Sequence, residues 1–110
     1  MPLVNITSDN AKIFCEVLKN NTFVCLYHWH QCGHCVELLP IWRTAIEKSG
    51  KNTNIAEIEL DNMKYLDESY KKVQGFTSII VYKKWKKITE FKQPRNLKNL
   101  EKFIKEHKRK

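Results

Sequence analysis

The stretch from Thr22 to Ser49 dictates the class of fold. "TFVCLYHW" sets bulky residues on both sides of an extended chain, the pattern of a strand covered on both faces of its sheet. Helical periodicity then takes over: Cys35, Leu38, Leu39, Trp42 and Ile46 form one stripe between Gly33 and Ser49, and Gly50 stops it. Pro40 lies inside that pattern and is expected to kink the helix. A doubly covered strand running straight into an amphipathic helix requires layers on both sides of a sheet, which is an α/β architecture.

The remaining segments fit around this unit. "PLVNI" reads as a short first strand, with Ser8 or Asp9 as an N-cap for "NAKIFCEVLKN", where Ala11, Phe14, Val17 and Leu18 repeat at helical spacing. "NIAEIEL" alternates as a strand does, and "NMKYLDESYKKV" reads as a short helix beginning after Asp61. "SIIVYKK" and "KITEF" read as two strands joined by a basic tip around Trp85. "NLKNLEKFIKEH" places Leu97, Leu100, Ile104 and His107 on one face behind Asn96 as N-cap. The order is β-α-β-α-β-α-β-β-α: a central mixed sheet with helices on both faces, closed by an antiparallel hairpin. No linker, repeat or low-complexity run interrupts residues 1–110, so a single domain is expected.

Cys32-Gly33-His34-Cys35 falls where the buried strand ends and the helix begins. There the unpaired N–H groups and the helix dipole stabilise a thiolate at Cys32, the form of sulfur that attacks a disulfide. Cys35, one turn on and more covered, is placed to resolve the mixed disulfide, and His34 adds positive charge beside Cys32. A metal reading stands beside this one. His28, His30 and Cys32 alternate at period two, and with Cys35 they offer four ligand types that zinc accepts. The alternative function is therefore a metal- or iron–sulfur-binding protein, dimeric through the site. Covalent c-type haem is unsupported, because Val36 follows Cys35 where that motif needs histidine.

Composition narrows the context. Twenty Lys+Arg against 12 Asp+Glu give a net charge of +8, which attracts acidic partners without naming one. No apolar run is long enough to span a membrane. "MPLVNITSDNAK" lacks the pattern of a signal peptide and "EHKRK" is not an ER-retention signal, so a cytoplasmic location is expected. Cys15 and Cys25 read as small core residues. "YKKWKKITEF" and "KEHKRK" read as a solvated hairpin tip and a charged helix end; no RNA-binding motif accompanies them, and nucleic acid is not an expected partner.

These residues together resemble the thioredoxin-fold proteins, and "CGHC" is the tetrapeptide typical of protein disulfide isomerase domains. "CGHCVELLPIW" is similar to the isomerase pattern C-G-H-C-K-x-L-x-P-x-W, "VQGFTSIIVYK" to the segment V-x-G-F-P-T, and "FKQPR" to Y-x-G-x-R before the last helix. The resemblance implies a thiol–disulfide oxidoreductase acting on protein thiols and disulfides, with no cofactor. It assigns Cys32 as nucleophile and Cys35 as resolving thiol, with Phe76 and Thr77 in the substrate-facing loop and Arg95 assisting the second cysteine.

Three positions depart from the family. Leu26 stands where a buried acid accepts the proton of the second cysteine, leaving water, His28, His30 or His34 for that task. Gln31 replaces the aromatic before the first cysteine, with Trp29 nearby. Thr77 replaces a cis-proline that faces the disulfide and shields it from metal. A cis bond before a non-proline residue costs about 2.5–4 kcal/mol, so a trans Phe76–Thr77 peptide is expected.

Overall fold

The computed structural model describes residues 3–73 and 75–108. Pro2 of the expected first strand, Gln74 ahead of Phe76, and Arg109 and Lys110 of the basic tail lie outside them. Five strands form one sheet: β1 (Leu3–Asn5), β2 (Thr22–His28), β3 (Ile55–Glu59), β4 (Ser78–Lys83) and β5 (Lys86–Glu90). Three helices accompany them: α1 (Ala11–Leu18), α2 (Gly33–Ser49) and α3 (Leu97–Glu106). The sheet order is β1-β3-β2-β4-β5. β3 runs parallel to β1 and β2, while β4 is antiparallel to both β2 and β5.

β2 is central, and residues 23–28 are all buried. Alternation divides its side chains between two cores. Phe23, Cys25 and Tyr27 join Ile6, Phe14, Leu18, Ile58 and Met63 on the α1 face. Val24 and Leu26 join Leu38, Trp42, Ile55, Ile79, Leu100 and Ile104 beneath α2 and α3. Each fully buried aliphatic side chain contributes about 1.5–3 kcal/mol, so the two clusters hold the sheet between its layers. On the α1 face the Tyr27 hydroxyl donates to the Tyr70 carbonyl at 2.8 Å and lies 2.9 Å from the Tyr82 hydroxyl, which satisfies its buried oxygen.

The structure corrects two local expectations and gives the physical basis of a third. Helix α1 is capped by Asn10 rather than Ser8 or Asp9; its Oδ1 accepts the Thr7 N–H at 2.8 Å and its Nδ2 donates to the Asn5 carbonyl at 2.9 Å, so the side chain ties down the turn before the helix. The "NMKYLDESYKKV" helix is replaced by two 3-10 turns, Leu60–Tyr65 and Glu68–Tyr70. Met63, Leu66 and Tyr70 are all buried, so the apolar spacing was real. Leu66 and Asp67 are nonetheless extended, and each half is too short to propagate an α-helix. Gly50 ends α2 as expected, but at φ −93°, outside the left-handed region. Its need is space: a Cβ there would meet the Ile46 carbonyl oxygen at 2.7 Å.

Candidate active site

The two motif cysteines take different places in the first turn of α2. Cys32 is its N-cap in extended geometry, partly exposed, and its Sγ accepts the Cys35 N–H at 3.4 Å. Cys35 opens the inward stripe Cys35-Leu38-Trp42-Ala45 and is 1% exposed. Both thiols are free. The Cys35 thiol, donating to the neighbouring sulfur, and then the Cys35 N–H hold the Cys32 thiol below its ordinary value. The His34 N–H and the Arg95 charge add to this against partial desolvation. Burial, and then that same bond to Cys32, push Cys35 up to about 11; the Trp29 backbone and Arg95 oppose the rise. Hydrogen bonding therefore favours a thiolate on the outer sulfur and a thiol on the inner one.

The loop before β4 forms the other wall. The Cys32 sulfur lies 3.9 Å from the Phe76 carbonyl. The Phe76–Thr77 peptide is cis, contrary to the trans geometry expected from the residue types alone. The surrounding contacts fix that loop: Arg95 donates to both Thr77 Oγ1 and the Thr77 carbonyl, and the Ser78 hydroxyl donates to the Gly75 carbonyl at 2.6 Å. Arg95 also lines a shallow groove beside the pair with His34, Glu37, Leu38 and Ile41. Val36 and Ile41 add exposed apolar surface at this end of α2.

The histidines separate. His34 is exposed, and its backbone N–H helps to lower the Cys32 thiol. His30 turns toward β3: its N–H and Nδ1 meet Glu59 Oε2 at 2.6 and 2.8 Å, with Asp61 at 3.8 Å. Glu59 pays a desolvation penalty, yet the N–H groups of Asp61 and His30 hold its carboxyl below the ordinary range. His30, Glu59 and Asp61 form the only group of three metal-ligating types with donor atoms within 4.8 Å among the described residues. The Glu59 oxygens are occupied by backbone N–H donors, which makes this group a clasp between the β2–α2 loop and the end of β3. The set His28, His30, Cys32 and Cys35 does not converge within the chain.

His28 is buried, and neither of its ring nitrogens has a hydrogen-bond partner among the described residues. Burial lowers its pKa, partly offset by the charges of Glu57 and Glu59. Sequence reasoning missed Glu57. It pairs in register with Leu26, is 2% exposed, and receives Trp42 Nε1 at 3.0 Å and Arg43 Nη2 at 2.9 Å. The signal was available: in "NIAEIEL" Glu57 shares a strand face with Ile55 in a sheet expected to be covered on both sides. Cys15 and Cys25 are buried in the α1-side core as expected, and burial raises both thiols.

A partly exposed sulfur capping a helix, a buried partner one turn on and the Phe76–Thr77 loop facing them form the arrangement of a dithiol pair in an α/β fold. The family Thioredoxin matches residues 4–106, and the chain belongs to it. It is 28% identical over 103 residues to Protein disulfide isomerase-like 2-3 of Oryza sativa subsp. japonica, covering 93% of this chain and 23% of that protein. The chain thus spans about a quarter of that curated relative's length. Its fold is shared with the J-Trx1 fragment of ERdj5, at TM-score 0.77 and 16% identity over 93% of this chain and 49% of that one. It is shared also with the reduced Schistosoma mansoni thioredoxin pre-protein, at TM-score 0.68 and 20% identity over 94% and 96% of the two chains.

Proposed function

We propose that the chain exchanges disulfides with protein substrates through Cys32 and Cys35. The observation that carries this reading is the asymmetry of the pair, with the exposed sulfur held toward thiolate and the buried one toward thiol. In the reductive direction the Cys32 thiolate attacks a substrate disulfide, forming a mixed disulfide and releasing one substrate thiolate. Cys35 then loses its proton and attacks the Cys32 sulfur, closing the Cys32–Cys35 bond and releasing the second thiolate; the substrate gains two electrons. The oxidative direction is the reverse. His34 assists Cys32 through its backbone N–H, and Arg95 acts on both sulfurs by charge.

The Phe76–Thr77 loop and the exposed Val36 and Ile41 supply the surface for an extended, partly apolar polypeptide. The net charge of +8 favours acidic protein partners. Turnover of a protein disulfide with dithiothreitol as reductant, comparing wild type with Cys32→Ser and Cys35→Ser, tests the reading. Loss of turnover in Cys32→Ser and trapped mixed disulfides in Cys35→Ser are expected. Wild-type turnover by Cys32→Ser overturns it.

A further inference from the structure

Cys35 must lose its proton in the resolving step and regain it in the reverse direction, and burial holds its thiol up at about 11. A buried side chain in the layer beneath α2 could take that proton more directly than bulk water. Among the described residues, the buried acid–base side chains other than thiols and phenols are His28 and Glu57. Glu57 is committed. Trp42 Nε1, Arg43 Nε and Arg43 Nη2 all donate to it, and the Arg43 guanidinium is held in turn by that carboxylate. His28 is not: both ring nitrogens are buried and without partners among the described residues, a costly state for an imidazole that serves packing alone.

His28 is also in the right layer. It follows Val24 and Leu26 at period two along β2, and those two pack beneath α2 with Leu38 and Trp42. Cys35 heads the same inward stripe of α2, and the turn leading to it closes directly after His28, where the Cys32 N–H donates to the Trp29 carbonyl at 3.0 Å. Charges of both signs face the ring. Glu57 and Glu59 from β3 favour imidazolium; Arg43 from α2 and His30 from the following loop oppose it.

We propose that His28 is the proton acceptor for Cys35, with buried Glu57 as the counter-charge that makes the imidazolium tolerable; this rests on the thiol–disulfide reading above. In the resolving step the Cys35 S–H bond breaks and its proton passes to neutral His28. The Cys35 electron pair forms the bond to Cys32 Sγ, and the bond from Cys32 to the substrate sulfur breaks. The departing thiolate and the imidazolium then equilibrate their proton with solvent.

The chromogenic disulfide dithiobis(nitrobenzoate) separates the two steps. Reduced protein releases one thionitrobenzoate when Cys32 attacks and a second when Cys35 resolves. Followed by stopped flow from pH 5 to 9, wild type shows an inflection in the second rate that follows His28. His28→Phe leaves the first release within about twofold and slows the second by about a hundredfold, the scale of a lost general base. It also removes the inflection, and added imidazole restores rate. His28→Gln gives the same result in a polar ring-free side chain. Glu57→Gln moves the inflection to lower pH. A second release in either His28 variant with the wild-type rate or an unmoved inflection overturns the proposal, as does a wild-type second release without inflection. Failure of the first release in wild type overturns the thiol–disulfide reading instead.

Discussion

Alkylation of Cys35 in the Cys32→Ser variant tests whether burial alone sets the character of the inner thiol. Cys35 is raised from 9.0 to about 11, with desolvation the leading cause and the bond to Cys32 second. Two units correspond to about 2.7 kcal/mol against the thiolate. Below both values, Cys35 therefore carries roughly a hundredfold less thiolate than an unperturbed thiol. Nucleophilicity rises with pKa at a slope of about 0.4–0.5, which restores roughly six- to tenfold. Because the variant lacks the contribution of Cys32, this sets an upper limit: alkylation up to about fifteenfold slower than a free peptide thiol, before access through a 1% exposed surface is considered. Timed iodoacetamide treatment at neutral pH without oxygen, read by mass spectrometry on native protein, measures this. Cys32 in the Cys35→Ser variant, exposed and still held by the N–H groups at the head of α2, alkylates faster than Cys35. If Cys35 in Cys32→Ser reacts as fast as the peptide thiol, desolvation is not what silences it and the account of the pair fails.

Three further outcomes follow from the buried polar groups and the hairpin. Glu57→Leu orphans Trp42 Nε1 in a fully buried position and costs about 1–3 kcal/mol in urea unfolding; adding Trp42→Phe recovers part of that loss, and strict additivity of the two would show that the bond carries no stability. Burial lowers the His28 pKa, so the folded protein binds fewer protons than the unfolded chain just below the unfolded value of 6.5. Its contribution is present above 6.5 and lost as pH falls through the folded pKa. His28→Leu should thus flatten the stability profile on that acid side, and an unchanged slope would refute the assignment. Lys84 and Trp85 both have positive φ, 50° and 66°, at the tip between β4 and β5. Trp85→Gly relieves this and raises stability by about 0.5–1 kcal/mol in thermal or urea unfolding; a loss would mean that the exposed indole packs more than its position suggests.

Helix α2 was legible to the residue because both of its ends carry local signals: the cysteine at the cap and a glycine that has no room for a Cβ. The segment 60–70 was not, because its apolar spacing serves helices and successive 3-10 turns equally well. The pair Cys32 and Cys35 could be named from sequence since its chemistry is local. The rest of the site is built from long-range partners. Thr77 depends on Arg95, 18 residues further on, and the trans expectation considered the peptide bond without that partner. The missing acid at Leu26 drew attention to β2, while the buried carboxylate sat across the ladder on β3, where only strand register reveals it. His28 was a candidate by type; its orphaned nitrogens are a property of packing that no motif records.

Cys32 is both the nucleophile proposed for exchange and the group that caps α2. A sulfur engaged in a disulfide is neutral and a much poorer acceptor than a thiolate. Each oxidation therefore weakens the bond from the Cys35 N–H and loosens the first turn, and each reduction tightens it again. By thermodynamic linkage, whatever stabilises that turn also favours the reduced couple, so residues far along α2 help to set the electron affinity of its first one. The helix is part of the redox centre. Hydrogen exchange at the Cys35 and Val36 amides would follow electron transfer with no probe attached to either sulfur.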